Sequence, residues 1–483
     1  MENTTQLLVV MLAYMSLLIL WGVYQGRKVK TSSDFAIAGR NLPGWVAALS
    51  ERATGESSWA LLGLPGAAYA TGLLEIWTAV GCVAGIVTAW ILIAWRLRDE
   101  AEKYQVDTFT DYIAKRHGEM GKWIRIVGSF TIVFFFLFYV GAQFLGGGKT
   151  LFTMFDLDPK LGMLITAAII IPYTIYGGFR SVVYTDVVQA LVMITTLIVG
   201  PIVGWFYVSN HPELFATNIS DALIKAGPQY TSLTGSLTGF MSGIAIVGGF
   251  SWFFGYLGGQ PQLSMRFMAI KNPRQAKIAR NVGILWTVIA YIGALMIGWL
   301  GIAIFGPDGL TDREFVMPAV LLEIFPPAVA AFLITGAIAA MISTADSLLI
   351  LSATEFSENL LRKVKKGDMS RKLLIQRSVT AILALVALLM AYQAPSEYIF
   401  TLVSYVWAGI GGTFSVVILL TLFWKKYHGR AVLLTIITGL TFTIIWIQTG
   451  MDEVVPARFL TFVVAGIVAI VSTYLIPVKR VVS

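Results

Sequence analysis

The segment Leu49-Ser-Glu-Arg-Ala-Thr-Gly-Glu-Ser-Ser-Trp59 places two acids, one base, a glycine and several hydroxyls in the middle of an apolar stretch. A second unusual segment, Gly248-Gly-Phe-Ser-Trp-Phe-Phe-Gly-Tyr-Leu-Gly-Gly-Gln-Pro261, contains five glycines and a proline. Irregular backbone at membrane depth is tolerated only where it is buried in protein or lines a cavity. Two interrupted helices five spans apart predict an inverted-repeat transporter with its site at the midplane. For the second segment alone, glycine packing between helices is an equal alternative.

The composition around these segments is that of a polytopic membrane protein. Of the 483 residues, 57% are hydrophobic and 13% are charged, whereas a typical soluble domain is about 25% charged. The mean hydropathy is +0.76. The apolar stretches are too long and uniform for the strands of a transmembrane barrel. We therefore predict an all-α chain with about 13 transmembrane helices, near residues 5–25, 43–68, 72–95, 123–153, 161–178, 184–208, 237–258, 279–305, 317–352, 375–393, 398–424, 431–449 and 457–477.

The distribution of Lys and Arg predicts the orientation. With the N-terminus outside, most of these residues fall in inner loops, as the positive-inside rule requires. The run Arg362–Lys366 is predicted to anchor this topology against anionic lipid. The chain is then a single transporter domain in the cell membrane with a cytoplasmic C-terminus. Residues 1–42 form an extra N-terminal helix and inner loop, residues 43–208 and 237–424 form two repeats, and residues 425–483 contain two extra C-terminal helices.

Charged side chains at membrane depth are costly, and their default interpretation is functional. The candidates are Glu51, Arg52, Glu56, Glu75, Asp186 and Asp346. Two structural alternatives stay open. The charges at positions 51, 52 and 56 could neutralise one another and only fix the local geometry. Asp186 could form a structural ion pair with the nearby Arg180.

Asp346 lies in the segment Ala339-Ala-Met-Ile-Ser-Thr-Ala-Asp-Ser347. On a helix, residues three or four apart share a face, so Ala340, Ser343, Thr344 and Ser347 form one narrow stripe with Asp346 at its edge. Hydroxyl, carbonyl and carboxylate oxygens suit a small, hard cation. The alternative is that the hydroxyls bond back to the preceding helical turn.

Several motifs resemble those of the sodium/solute symporters, and the resemblance covers nearly the whole chain. The most specific is Tyr173-Thr-Ile-Tyr-Gly-Gly-Phe-Arg-Ser181, followed by Tyr184-Thr-Asp186. Other segments resemble the sodium/proline branch: Ser50 through Ala67, Thr71-Gly-Leu-Leu-Glu75, Gly259-Gln-Pro261 followed by Arg266-Phe-Met, and Ser404-Tyr-Val-Trp-Ala-Gly409.

The resemblance implies a LeuT-like fold of two inverted five-helix repeats, with broken first and sixth core helices. It also implies a sodium site between the first and eighth core helices, formed by main-chain oxygens of Ala53, Glu56 and Ala340 and the hydroxyls of Ser343 and Thr344. Some sialic acid carriers of the family bind a second sodium. The matching positions here are Asp186, Ser343, Asp346 and Ser347, which could instead form a proton site.

The resemblance also implies a solute site. Tyr139, Trp252 and Tyr256 match the aromatic positions of the proline branch, and Glu75 and Gln260 lie in its other motifs. Ser57, Ser58 and Trp59 lie at the helix break, where donors beside a half-helix end suit a carboxylate group. The chain departs from the proline carriers at Gly55, where they have an aspartate, and has its acid one residue later, at Glu56.

We expect a sodium-coupled secondary active symporter that imports proline or a related amino acid by alternating access. The alternatives are sodium symport of a sugar, sialic acid or organic acid, a proton-coupled carrier on the same fold, and a transporter-like sensor. The expected partners are the small-molecule solute, sodium and the lipid bilayer. Neither enzymatic activity, nor nucleic acid binding, nor an obligatory protein partner is expected.

Overall fold

A computed structural model describes residues 2–29, 32–360, 369–393 and 398–476. The basic run Arg362–Lys366 lies outside the described residues. Within them the chain is helical and has no strand, apart from one isolated bridge between Leu42 and Ile270. The helices are α1 Glu2–Gly26, α2 Ser32–Ile37, α3 Gly44–Ser58, α4 Leu64–Thr71, α5 Ile76–Thr88, α6 Ala94–Tyr104, α7 Phe109–Arg116, α8 Gly121–Phe155, α9 Pro159–Asn210, α10 Ile219–Ala226, α11 Pro228–Thr231, α12 Phe240–Phe250, α13 Trp252–Gly255, α14 Pro261–Met268, α15 Pro273–Phe305, α16 Val316–Ile324, α17 Pro327–Glu355, α18 Met369–Tyr392, α19 Ile399–Val406, α20 Thr413–Phe423, α21 Gly429–Gln448 and α22 Ala457–Leu475.

The predicted all-α membrane fold is confirmed. Among the described residues, ten helical stretches are long and apolar enough to cross a bilayer. One of them, Gly44–Tyr104, contains two of the predicted segments, and two further segments correspond to the shorter apolar helices Pro159–Pro172 and Phe240–Gly255. The count of thirteen crossings stays a prediction. So do the repeat boundaries at 43–208 and 237–424.

The predicted segment 317–352 is not one helix. It is divided into α16 and α17 by an extended residue, Phe325, with φ −121° and ψ 151°. Pro326 and Pro327 follow it. Because proline lacks an N–H and disfavours helical backbone in the residue before it, this sequence ends one helix and begins the next.

Residues 179–183, which separate the predicted segments 161–178 and 184–208, are also helical. The chain turns at a single residue, Gly178, where φ is 63° and ψ is 173° inside α9. This backbone conformation is accessible essentially only to glycine. A Cβ at this position would also lie 2.6 Å from the Phe35 ring. One glycine therefore replaces a loop between two spans.

Gly178→Ala is expected to destabilise the protein by about 1–3 kcal/mol, because alanine strains the backbone and clashes with Phe35. The measurement is the melting temperature of the purified protein in detergent. Gly466→Ala is the matched control, since Gly466 lies within helix α22 with no atom within 4 Å of its added Cβ. Alanine there should be neutral or slightly stabilising. Equal melting temperatures for the two variants would contradict the assignment of strain to Gly178.

The centre of the bundle is formed by α3, α9, α15 and α17. Helix α3 contacts each of the other three, and α9 contacts both α15 and α17. Small residues allow this close packing. A Cβ on Gly44 would lie 2.0 Å from the Gln275 carbonyl oxygen, and one on Gly293 would lie 2.0 Å from that of Leu197. Substitution at either glycine would force backbones apart, so the sequence fixes the spacing at the centre.

At one end of the bundle, hydrogen bonds to the backbone join segments that are distant in sequence. The Leu42 amide donates to the Ala269 carbonyl at 3.0 Å, and the Lys271 amide donates to the Leu42 carbonyl at 3.0 Å. The guanidinium of Arg98 donates to the carbonyls of Ile270 at 3.2 Å and Lys271 at 2.9 Å. These bonds join the chain before α3 to the end of α14, so both interrupted segments are held together at this end.

His117 lies beyond the spans at the end of α7 and is buried. Its Nε2 is 2.9 Å from the Thr421 hydroxyl, and its ring packs edge-on against Tyr427. Burial lowers the pKa of His117 from 6.5 to about 3, with the nearby charges of Arg116 and His428 lowering it further. Between about pH 3 and pH 6.5 the folded protein therefore keeps this imidazole neutral while the unfolded chain protonates it.

This lowered pKa predicts a loss of stability in mild acid. The unfolded state binds the proton below about pH 6.5 and the folded state does not, so stability falls as the pH decreases toward 3. Between pH 7 and pH 5 the expected loss is about 2 kcal/mol. The measurement is the melting temperature at both values for the wild type and for His117→Gln. A variant with the same pH dependence as the wild type would refute the role of His117.

Candidate functional site

Helix α3 is interrupted at Ser57, where φ is 50° and ψ is −164°. Neighbouring side chains accept hydrogen bonds from the backbone amides at the break. The Ser57 hydroxyl oxygen accepts from the Trp59 amide at 3.1 Å and from the Tyr139 hydroxyl at 3.1 Å. The Ser58 amide donates to Oε1 of Gln143 at 3.1 Å. The break predicted from the sequence is therefore present and is held by two residues of helix α8.

The second predicted interruption lies between α12 and α14. The chain forms only the short helix α13 and then turns at Gly258, whose φ is 79°. The Gly258 carbonyl accepts from the Ser264 hydroxyl at 2.8 Å. A Cβ on Gly259 would lie 2.3 Å from the Ser415 amide nitrogen, so this backbone lies directly against helix α20.

An aromatic cluster fills the space between the two breaks. The rings of Trp59 and Trp252 stack with their centres 4.2 Å apart. Trp407 contacts the rings of Trp252, Tyr139 and Tyr256 at 5.7, 5.6 and 5.3 Å. The structure thus brings together the four aromatic residues predicted from the sequence and adds Trp407, which lies in a π-helical turn after α19.

Five buried polar atoms without a hydrogen-bond partner lie at this cluster. Buried and unpaired are the indole nitrogens of Trp59, Trp252 and Trp407, the Ser58 hydroxyl and Nε2 of Gln260. A buried polar atom without a partner is costly in a finished structure. Tyr256 differs, since its hydroxyl lies 3.1 Å from that of Tyr291. Donors and acceptors facing an aromatic wall are the features of a small-molecule site.

Glu75, also predicted as a solute residue, lies apart from this cluster in the turn Gly72–Glu75. It interacts electrostatically with Arg313 and Arg458. The guanidinium of Arg458 in turn lies 4.7 Å from the Trp252 ring centre. The described contacts therefore link Glu75 to the aromatic cluster through Arg458.

The charges at positions 51, 52 and 56 form one buried cluster. The Arg52 guanidinium binds Glu51 through two nitrogens and Oε1 of Glu56 at 2.7 Å, and donates to the Thr287 hydroxyl at 3.2 Å. All three charged residues are buried. Oε2 of Glu56 has no partner. Arg52 and Glu51 therefore neutralise each other, as one structural alternative predicted, whereas Glu56 is paired through only one of its two oxygens.

The predicted hydroxyl stripe faces α3. The Thr344 hydroxyl donates to the Thr54 carbonyl at 3.0 Å, and the Ser343 hydroxyl donates to Oδ1 of Asp186 at 2.5 Å. Ala53 and Ala340 are fully buried on the same two helices. Each hydroxyl donates its hydrogen in these bonds, and the lone pairs on its oxygen stay available to bind a cation. This donor set fits a sodium ion, which favours oxygen ligands.

The structure does not bring all residues of the second predicted cation site together. Asp186 and Ser347 come together around Arg266, whose guanidinium is 3.1 Å from Oδ2 of Asp186 and 2.6 Å from the Ser347 hydroxyl. Asp346 is directed elsewhere: it accepts from the Thr174 hydroxyl, and its Oδ2 has no partner. The ion-pair partner of Asp186 is Arg266, and the alternative partner Arg180 instead lies over the Tyr184 ring at 5.7 Å.

Sequence reasoning missed four residues that the structure places at these sites: Gln143, Arg266, Tyr291 and Trp407. A signal was present for two of them, because Arg266 and Trp407 lie inside segments that resemble the proline branch. Gln143 follows Tyr139 by one helical turn and therefore shares its face. No local pattern marks Tyr291.

Comparisons with known proteins agree with this architecture. The model of the Sodium:solute symporter family matches residues 35–439. This chain belongs to the sodium:solute symporter family. Two relatives from Bacillus subtilis (strain 168) are 32% identical: the osmoregulated proline transporter OpuE, over 94% of this chain and 92% of the relative, and the high-affinity proline transporter PutP, over 90% and 91%.

The solved structures support the fold. The outward-open, substrate-bound structure of a Na+-coupled sialic acid symporter covers 98% of each chain with a TM-score of 0.79 and 19% identity. This likeness confirms the predicted LeuT-like fold. As a sodium:solute symporter, the protein is a membrane transporter with sodium as its coupling ion.

Proposed function

We propose that this symporter imports proline, or a closely related small amino acid, across the cell membrane together with sodium. The support from the relatives is that OpuE and PutP are named proline transporters and align over nine-tenths of the chain. In this proposal the N-terminus lies outside and the C-terminus in the cytoplasm, as the distribution of Lys and Arg predicts.

The observation that carries the solute assignment is the aromatic cluster with its unpaired polar atoms. Stacked Trp59 and Trp252 offer an apolar wall for a small ring. The unpaired Ser58 hydroxyl and indole N–H groups are donors suited to a carboxylate. Aromatic faces also favour an ammonium group. Proline combines a ring, a carboxylate and a secondary ammonium, so it matches each of these features.

For sodium we propose the first predicted site, between α3 and α17. Its ligands are the main-chain oxygens of Ala53, Glu56 and Ala340 and the hydroxyls of Ser343 and Thr344. Ala53 and Glu56 lie in the last helical turn before the break at Ser57, so bound sodium would order the half-helix that also forms the solute site. By linkage, sodium and solute then raise each other's affinity by the same factor.

The transport step follows from this arrangement. Sodium favours the state in which the outer side is open, and the solute binds to the ordered break. Movement of one helical repeat against the other then exposes both to the cytoplasm. The repeats in this proposal are residues 43–208 and 237–424.

The test is a thermal-shift panel on the purified protein in detergent, with amino acids, sugars and organic acids each measured with and without sodium. We expect proline to raise the melting temperature only when sodium is present. Trp252→Ala should abolish this shift, because it removes the stacked wall. Phe130→Ala is the matched control, since this aromatic is 55% exposed on the surface of α8.

Three results would contradict the proposal. Stabilisation by a sugar or an organic acid in place of proline would refute the solute assignment. Stabilisation that varies with pH and ignores sodium would indicate proton coupling. Uptake into sodium-free proteoliposomes at the rate seen with sodium, at fixed membrane potential, would exclude sodium coupling altogether.

A further inference from the structure

Arg266 lies at the junction of four helices and is completely buried. It extends from α14, directly after the second interruption. Its guanidinium donates to Ser50 at 3.1 Å, Thr54 at 2.8 Å, Asp186 at 3.1 Å and Ser347 at 2.6 Å. These partners belong to α3, α9 and α17. The guanidinium also donates to the Gln262 carbonyl of its own helix at 2.8 Å and lies 5.0 Å from the centre of the Phe179 ring.

The oxygens around Arg266 are those expected of a sodium site. Ser347 lies on the hydroxyl stripe of α17, and Asp186 supplies the carboxylate. Oδ1 of Asp186 is already used by Ser343, and its Oδ2 accepts from Ser50 as well as from Arg266. Three hydroxyls and one carboxylate oxygen thus surround one positively charged group of the protein itself.

We propose that Arg266 is a built-in cation that takes the place of a second sodium ion, so that one sodium binds to each protein. This inference rests on the proposed function, because it counts the ions of a sodium-coupled symporter. Arg266 neutralises the buried carboxylate of Asp186, which removes the attraction that would draw a cation there. A sodium ion among the same oxygens would also lie beside a positive charge in a low-dielectric interior, where repulsion is strong.

The remaining charges near this site support the assignment. Asp186 interacts electrostatically with Asp346, and Arg266 with Glu51. Glu51 is bound to Arg52, and Asp346 accepts from the Thr174 hydroxyl. Asp186 is therefore the carboxylate bound directly to Arg266, and the pair is neutral as a unit.

The experiment counts sodium ions bound to the purified protein by equilibrium binding of radioactive sodium. We expect one ion for the wild type and one for Arg266→Lys, which keeps the charge. Arg266→Ala leaves the Asp186 carboxylate without a positively charged partner and opens space, so this variant should bind two sodium ions. The double variant D186N/R266A removes both charges and should return to one. Ser347→Ala should bind one sodium with unchanged affinity, because the Ser347 hydroxyl accepts a hydrogen bond from Arg266 and does not bind sodium in this proposal.

Two ions bound to the wild type would overturn this inference while leaving the proposed function intact. The inference would also be overturned if a folded Arg266→Ala variant bound one ion, or if Ser347→Ala bound sodium more weakly than the wild type. If Arg266→Ala does not fold, the wild type and Ser347→Ala still decide the matter. A wild type that binds no sodium would overturn the proposed function and this inference with it.

Discussion

Arg52→Met is expected to lower the free energy of unfolding by about 3–5 kcal/mol, because it leaves two buried carboxylates without their common partner. Arg52 is fully buried and binds both Glu51 and Glu56. Neither acid can reach water in the folded protein, so the loss is not screened. The measurement is the melting temperature in detergent, together with the yield of folded protein after size-exclusion chromatography.

Two controls separate charge from side-chain size. Arg430→Met breaks an Arg–Glu pair of 2.9 Å whose side chains are 43% and 44% exposed, and it should cost less than about 1 kcal/mol. The triple variant E51Q/R52M/E56Q removes the whole cluster of charges and should recover most of the stability lost by Arg52→Met. If Arg52→Met melts at the temperature of Arg430→Met, the cluster does not depend on charge pairing.

The double variant S343A/T344A is expected to raise the sodium concentration needed for half-maximal solute binding by about 100-fold or more. The physical reason is that each hydroxyl contact with a charged group contributes about 1.5–3 kcal/mol, and each 1.4 kcal/mol is tenfold in affinity. The measurement is solute-induced thermal shift across a sodium titration. At saturating sodium the solute affinity should return toward that of the wild type, because the aromatic cluster is untouched.

The control for this pair is Ser352→Ala, a buried serine about two turns further along α17. It should leave the sodium dependence unchanged. Thr344→Ala alone is informative as well, because it leaves the Ser343–Asp186 hydrogen bond in place. An unchanged sodium dependence in both the single and the double variant would refute the first sodium site.

The sequence alone determined the features that depend on local pattern. Long apolar stretches predicted helices, and charges or glycines inside them predicted the breaks at Ser57 and before Pro261. The stripe of Ser343, Thr344 and Ser347 followed from helical spacing, because residues three or four apart share a face wherever the helix lies. Local pattern failed at Phe325 and Gly178, where a single residue decides between one helix and two.

The tertiary structure alone decided which distant side chains meet. Arg266 and Asp186 are 80 residues apart, while the nearer Arg180 lies over the ring of Tyr184, one helical turn further along α9. Trp407 joins the aromatic cluster only because α19 packs beside the two breaks. Such pairings depend on how helices rotate and cross, and close packing at glycines fixes both. Local sequence determines which face of a helix is polar, whereas packing determines what that face meets.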